Sequence, residues 1–337
     1  MAQMHTLLMI DLSVIVVHYR TPDLLINCLK SIYTHSENLS IEVIVVENSP
    51  EWDELEQLRL TFKQVNWVRA DFNLGFARAN NLGLSKANGN YFLLLNPDSE
   101  ITSNTFSALI DTHKKKSTNF NVGLVTCRIR SSKDQSLLVG SGRVFPNLRR
   151  ILRQHPIWIK LFRSIKNKEK YSARHMHYET HEVDFASGAV LLGKREKFST
   201  PDYMFDEDFF LYWEDMEWCA RLKRKGMHHF LCASTEIQHV NAASTSSFSN
   251  LPIQLYVSEV LYYYKRLSKW QFFIYQLIVK NTFYMDYLLA KSSQEKERIS
   301  EQRIIFSKIS RLVRESYQRK VSSGKEYLRY DSELLSK

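Results

Sequence analysis

The chain has 337 residues, 44% of them hydrophobic, and a formal net charge of +10. That length allows one large domain or two small ones, and that apolar content excludes a disordered protein. The charge is concentrated in residues 143–170, where nine Lys or Arg face one acid, Glu169, so a single segment rather than the whole surface seeks an anionic partner.

The opening MAQMHTLLMIDLSVIVVHY has no basic leader and no small-residue cleavage site, so it reads as the approach to a strand at 13–19. The β-branched run there indicates burial on both faces. Leu24, Leu25, Cys28, Leu29 and Ile32 follow at helical spacing, with Thr21 and Pro22 as cap and first-turn residues. A second buried strand spans 41–49, a helix 52–63 and a short strand 66–71. Residues 76–88 read as a third helix, with Gly83 inside it. The apolar strand 90–100 stops at Asn96-Pro97-Asp98, a helix follows, and 121–129 is a further strand. This alternation predicts an α/β fold, a mainly parallel sheet with helices on both faces. Ligands gather at the carboxyl ends of such strands. Glu47-Asn48-Ser49, Asp71-Phe72-Asn73 and Asn96-Pro97-Asp98 are therefore expected on one edge.

Residues 143–180 break the pattern with mixed basic and apolar residues, Pro146 and Pro156. Within 149–170, Arg and Lys interleave with Ile, Leu, Trp158 and Phe162, which suits an anionic bilayer surface, although an ordinary basic loop has the same composition. Strand character returns at 183–198, around Ser187-Gly188-Ala189. The stretch FDEDFFLYWEDMEW (205–218) then holds six carboxylates and six aromatics. A solvated face would not carry so many rings, and a core would not tolerate so many charges. Acids among rings suit a cleft in which a carboxylate stays dry and basic. The plainer alternative is an acidic helix N-terminus favoured by the macrodipole. A helix ending at Gly226 and a strand at 228–240 close this half. From 251 the chain is helical, with eleven aromatics between 254 and 291 and its polar positions on one face. Such a helix packs on the rest of the chain, on a second copy in a homodimer, or on a membrane. No run reaches the ~18 apolar residues of a membrane span. Cys28, Cys127, Cys219 and Cys232 lack CxxC spacing and read as core residues in a reducing compartment, not as a zinc site.

Three pieces carry chemistry. Asp98 at a strand end can hold a divalent cation against a diphosphate, although Asn-Pro is also a plain turn signal. Gly75 before a helix brings backbone N–H groups and Arg78 toward a phosphate, but the stretch is neither GxGxxG nor a P-loop. His239 after a strand can be a metal ligand or a phosphate contact, or a structural histidine.

In order, VIVVHY, VVENS, NLGFARANN, LLLNPDS, ASGAVLL, FDEDFFLYWEDMEWCARLKRKG and IQHV resemble the family 2 glycosyltransferases, and among them the rhamnosyltransferase-like branch, over roughly residues 13–245. The resemblance implies a GT-A catalytic domain over 1–250, with 143–180 as an insertion and 251–337 as a helical C-terminal region. It implies a nucleotide-sugar donor and inverting displacement with Mg²⁺ or Mn²⁺. Carried over by residue, Glu47 would contact the nucleoside and Asp71 and Asn73 the base and ribose. Gly75, Arg78 and Asn96 would complete the donor site. Asp98, the last acid of a DxD element, would hold the metal with His239. Gly188 and Trp213 would lie on the acceptor side, Asp215 would be the general base, and Glu214 would sit beside it. Two departures stand out: Glu47 replaces the usual Asp, and Asn96 replaces the first Asp of DxD.

The implied activity is transfer of a hexose or deoxyhexose to a glycan hydroxyl, on a lipid-diphosphate-linked acceptor, in bacterial surface polysaccharide (O-antigen) synthesis. Rhamnose from dTDP-rhamnose is the branch-level expectation; UDP-hexose and UDP-galactofuranose are the other donors. The location expected is cytoplasmic, at the inner face of the cytoplasmic membrane. Two other classes fit less. A sugar nucleotidyltransferase needs a glycine-rich basic loop where this chain has HYRTPDLL, and a nucleic-acid binder leaves 205–218 unexplained.

Overall fold

The computed structural model describes residues 10–36, 38–49, 55–137, 178–240 and 251–323. The basic stretch 149–170 lies outside them. Two compact units divide the described residues: one holds 10–137, 178–206 and 214–240, the other 207–213 and 251–323.

In the first unit, β1 (Leu12–His18), β2 (Ile41–Glu47), β3 (Val65–Arg69) and β4 (Tyr91–Leu95) are parallel and adjacent in the order β3-β2-β1-β4. Each strand buries alternate residues on opposite faces, which is why the sequence reads as unbroken apolar runs. Val14, Val16, Val43, Val45, Leu93 and Leu95 pack with Leu25, Leu29 and Ile32 of α1 (Pro22–Thr34) and with Phe106 and Leu109 of α4 (Thr105–Ser117). The opposite face takes α3 (Gly75–Lys86), through Ala79 against Val17 and Val46. Gly83 is what lets α3 approach: a Cβ there would stand 2.4 Å from Ile15 Cγ2 and 3.2 Å from Val46 Cγ2. The short α2 (Glu56–Thr61) precedes β3.

Beyond β4 the sheet departs from the expected parallel pattern. Among the described residues it has nine strands in the order β3-β2-β1-β4-β8-β6-β9-β5, with β7 (His181–Val183) paired to β9. β8 (Val190–Lys194) lies between β4 and β6 (Val122–Ser131) and is antiparallel to both. β9 (His228–His239) is parallel to β6, and β5 (Ser99–Ile101) is antiparallel to β9. The strand–helix alternation that enforces parallel neighbours ends at β6, so later strands can enter in either direction. The stretch 183–198 is not one strand. It breaks at Ser187, whose carbonyl accepts from Val190 N–H, and ends in a 3-10 turn at Arg195–Phe198. All four cysteines are buried.

Histidines buried in this unit are expected to make it acid-sensitive. His229 accepts from Leu124 N–H at Nδ1 (3.2 Å), so Nε2 carries the proton and donates to Cys219 O (2.9 Å), tying β9 and β6 to α5 (Glu214–Arg224). Burial lowers its pKa to about 4, and does the same for His18 and His113. A histidine whose folded pKa is depressed stabilises the fold above the unfolded value and loses that contribution as pH falls from 6.5 toward 4. Each is worth roughly 3 kcal/mol across that window. Thermal unfolding from pH 7 to pH 4.5 is therefore expected to show a steep fall in Tm, and a shallower one in His229→Gln.

The second unit is built on α6 (Leu251–Arg266), α7 (Lys269–Leu289) and α8 (Ser293–Ser323). A capping box at Ser268 and Gln271 separates α6 from α7. Val260, Tyr275, Phe306, Ile309 and Val313 are buried here. Among the described residues no helix is long and apolar enough to cross a membrane.

Candidate active site

The parallel strands β1 to β4 end on the same edge of the sheet, which collects His18, Glu47-Asn48-Ser49, the loop after β3 and Asn96-Pro97-Asp98. The three polar strand ends read from the sequence thus share one edge.

Asn96-Pro97-Asp98 is both a turn and a carboxylate mount. Ser99 N–H donates to Asn96 O at 3.1 Å, with Pro97 in the position a β-turn prefers. The chain then continues into β5, which pairs with β9 in the register Ser99 to His239. Val240 N–H donates to Asp98 O. This pairing sets His239 Nε2 3.2 Å from Asp98 Oδ1 and 3.4 Å from Asn96 Nδ2. Burial lowers the His239 pKa, and the Asp98 charge opposes that without reversing it, so the ring is neutral near pH 7. Either Nε2 keeps its proton and donates to Asp98, or its lone pair accepts from Asn96 Nδ2. Asn96 Oδ1 is buried and without a hydrogen-bond partner. A carboxylate, an imidazole nitrogen and an orphaned amide oxygen are a donor set that fits Mn²⁺ or Mg²⁺ with positions left for phosphate oxygens. Among the described residues no group of three or more His, Cys, Asp or Glu gathers, so such an ion would lean on Asn96 and on its ligand.

The second carboxylate comes from the first turn of α5. Gly188 N–H donates to Asp215 Oδ2 at 2.9 Å, and Met216 N–H to Asp215 Oδ1 at 2.7 Å. A Cβ at Gly188 would meet both Asp215 Oδ2 and Phe76 Cε1 at 3.3 Å, so the missing side chain is what lets the carboxylate come close to the backbone there. The turn that holds Asp98 and the turn that holds Asp215 are stitched together: Asn96 N–H donates to Ala189 O, one residue after Gly188. Asp98, in the turn after β4, and Asp215, in the first turn of α5, are therefore linked through hydrogen bonds to the adjacent residues Ala189 and Gly188.

Glu214, beside Asp215, is buried, and its Oε2 has no hydrogen-bond partner. Burial, and then the Asp215 charge, hold its pKa well above the usual carboxylate range. Glu214 is therefore biased toward its protonated form. A carboxyl raised in the folded state contributes full stability below its unfolded pKa and loses it as pH rises through the folded one. Glu214→Gln, which mimics the protonated form, is expected to match the wild type in Tm near pH 5 and exceed it at pH 8, read by thermal unfolding.

The remaining sequence-derived residues divide. Glu47 is buried and held bidentate by Arg59, at 2.8 Å to Oε1 and 2.5 Å to Oε2. Its longer arm thus reaches α2 rather than standing open at the strand end. Asn73 Oδ1 accepts from Gly75 N–H and from Asn48 Nδ2, both at 3.0 Å, while Asn48 Oδ1 accepts from Leu74 N–H at 2.7 Å. Asn73 is therefore half of a latch that shapes the loop leading to Gly75. Asp71 is exposed beside it, and Arg78 lies one turn into α3. Trp213 belongs to the helical unit, its ring centroid 5.1 Å from Tyr262 and 5.8 Å from Tyr263.

Asn48 and Phe76 escaped the sequence reading as site residues. Asn48 stood in a strand end already noted for polarity, which was the available signal. Phe76 carried none, because its place beside Gly188 exists only through strand pairing. His18 also closes this edge: its Nε2 accepts from Thr21 N–H at 3.0 Å, which replaces the side-chain cap expected of Thr21.

Comparison with known proteins follows the same lines. The model of Glycosyl transferase family 2 matches residues 13–200, more than half of the chain. The low-salt glycan biosynthesis hexosyltransferase Agl10 of Haloferax volcanii is 25% identical over 247 residues, 71% of this chain and 70% of that protein. Among solved structures, GalNAc-T7 with UDP, GalNAc and Mn²⁺ is similar at a TM-score of 0.54 and 13% identity, covering 94% of this chain. TarS of S. aureus is similar at a TM-score of 0.51 and 12% identity, covering 91% of it. The chain spans 58% and 55% of those two structures' own chains, and at such identities the likeness speaks for the GT-A-like fold alone. With the strand-end acids, the mixed sheet and the family match in agreement, the chain is an enzyme of glycosyl transferase family 2.

Proposed function

We propose that the protein is an inverting glycosyltransferase that moves a hexose or deoxyhexose from a nucleotide sugar to a hydroxyl of a glycan. The observation that carries this reading is the coupling of two acidic turns on one sheet edge, through Asn96 N–H to Ala189 O and Gly188 N–H to Asp215. Asp215 takes the proton of the acceptor hydroxyl. The acceptor oxygen bonds to the anomeric carbon as the bond to the diphosphate oxygen breaks, and the electron pair leaves with the diphosphate. Base assistance of this kind is worth ~10²–10⁴-fold. Asp98, His239 and Asn96 would hold a divalent cation, whose chemistry there is to neutralise charge growing on the diphosphate. Glu214, biased toward its protonated form by burial and by the Asp215 charge, lessens the negative charge beside Asp215. Glu47, Asp71, Asn73, Gly75 and Arg78 form the donor side of the proposal and Gly188 with Trp213 the acceptor side.

Rhamnose from dTDP-rhamnose is the donor we favour, supported by the NLGFARANN and LLLNPDS motifs; UDP-hexose is the alternative. The test offers pure protein a panel of nucleotide sugars with Mn²⁺, Mg²⁺ or EDTA and measures released nucleoside diphosphate. Release from dTDP-rhamnose alone supports the favoured donor, whereas release from UDP-sugars alone replaces it. No release with any donor would overturn the transferase reading.

The acceptor we propose is lipid-linked, with the protein resting on an anionic membrane. Besides the basic segment 149–170, α7 supports this: Trp270, Phe273, Leu277, Tyr284 and Leu288 fall on one helical stripe and are exposed, Trp270 by 67%. Lys269 and Lys280 flank the stripe, and Asp286 lies on the opposite side by helical spacing. Wild-type protein is expected to sediment with phosphatidylglycerol vesicles and not with phosphatidylcholine vesicles, and Trp270→Ser/Phe273→Ser/Leu277→Ser to lose most of that binding. Equal sedimentation of both proteins, or a concentration-dependent dimer that the triple variant abolishes, would sink the membrane assignment of this face.

A further inference from the structure

The seven residues 207–213 precede the proposed base in the chain, yet they belong to the helical unit. Four kinds of contact hold them there. Lys265 Nζ of α6 donates to Asp208 Oδ2 at 2.6 Å, with both side chains largely buried. Ser258 Oγ donates to Leu211 O at 2.7 Å and accepts from Gln254 Nε2 at 3.0 Å. The Lys265 ammonium also lies 5.7 Å from the buried Phe209 ring. Trp213 packs on Tyr262 and Tyr263, and Tyr263 in turn on Tyr275 at 4.3 Å.

The backbone at the end of this segment is strained. Tyr212 and Trp213 have φ of 68° and 65°, two successive side-chain-bearing residues in the left-handed region. Such a conformation persists only where surrounding contacts over-determine it. The contacts from α6 are of that kind. The next residue is Glu214, and Asp215 follows in the first turn of α5. The direction in which the chain enters α5 is fixed by the dihedrals of Tyr212 and Trp213.

We infer that α6 clamps residues 207–213 so that the strained pair delivers Asp215 in its working orientation, with Lys265 and Ser258 as positioning residues for the reaction. The inference rests on the reading of Asp215 as the base. The buried polar groups of α6 then support the reaction by holding the segment that runs on in the chain to α5. A small loss of alignment at a reacting group is sufficient to cost up to ~10²-fold in rate.

The experiment compares Ser258→Ala, Lys265→Met, Lys265→Arg and Asp215→Asn in one transfer assay, with thermal unfolding and donor binding measured on each. Ser258→Ala and Lys265→Met are expected to lower kcat by about 10-fold or more while donor KM stays within about 2-fold. They are expected to displace the acidic limb of the kcat–pH profile, and Lys265→Arg to restore most of kcat. A merely structural role would lower Tm and the active fraction together and leave that limb in place. Folded Ser258→Ala and Lys265→Met enzymes with wild-type kcat and pH profile, beside an inactive Asp215→Asn, would overturn the clamp and leave the base assignment standing. An active Asp215→Asn would instead remove the base assignment on which the clamp depends.

Discussion

Asp215→Asn is expected to fold with a wild-type Tm, bind donor with unchanged affinity, and lose ~10²–10⁴-fold or more in kcat. The substitution keeps the shape of the side chain. Asparagine Oδ1 can still accept from Gly188 N–H or Met216 N–H, the two contacts that seat the carboxylate. What disappears is the capacity to take a proton. Because the donor would be held from the other side, by the strand-end turns of β1 to β4, its binding should not report the change. A loss in kcat with an unchanged donor KM is the signature of an interaction made only in the transition state. Transfer at near-normal rate by this variant would mean that another group, or water, takes the acceptor proton.

Asp98→Ala is expected to act on the other half of the reaction. It removes a carboxylate 3.2 Å from His239 Nε2 and leaves that ring beside Asn96 Nδ2. Transfer should fall by about 10³-fold, the order seen when a group that stabilises developing oxyanion charge is removed. Unlike the Asp215 variant, this one should also weaken donor binding measured with Mn²⁺, and should bring it close to the affinity the wild type shows in EDTA. Isothermal titration with the nucleoside diphosphate, with and without Mn²⁺, separates the two cases. A variant whose donor affinity keeps its full dependence on Mn²⁺ would move the metal away from Asp98.

Much of the first half was legible from the chain alone. Val14, Val16, Val43, Val45 and their neighbours form unbroken runs because both faces of β1 and β2 are covered, and such runs alternating with helical periods leave little choice of topology. The strand-end acids could be placed on one edge for the same reason. Periodicity specifies a face, however, not a partner. It did not reveal that β8 would insert antiparallel between β4 and β6, since nothing local distinguishes its neighbours. Nor did it show that Glu47 would be spent on Arg59, twelve positions away on a different element, rather than left open at the strand end. The stretch 205–218 stands out in the sequence for its mixture of acids and rings, but it is not one piece: its middle belongs to the helical unit and its end begins α5. The acids in it serve separate ends. Asp208 is neutralised by Lys265, Glu217 by Arg221, and Asp215 is seated by backbone N–H groups.

The pairing of β5 with β9 brings Asn96 against His239, positions 143 apart in the chain. During synthesis, the segment bearing Asp98 emerges from the ribosome long before the histidine that completes its surroundings. A nascent chain stalled before β9 would carry Asn96 and Asp98 without the histidine that stands beside them. The surroundings of Asp98 are therefore completed only when β9 has paired with β5, and a chain cut short before β9 would leave that turn without its pairing strand.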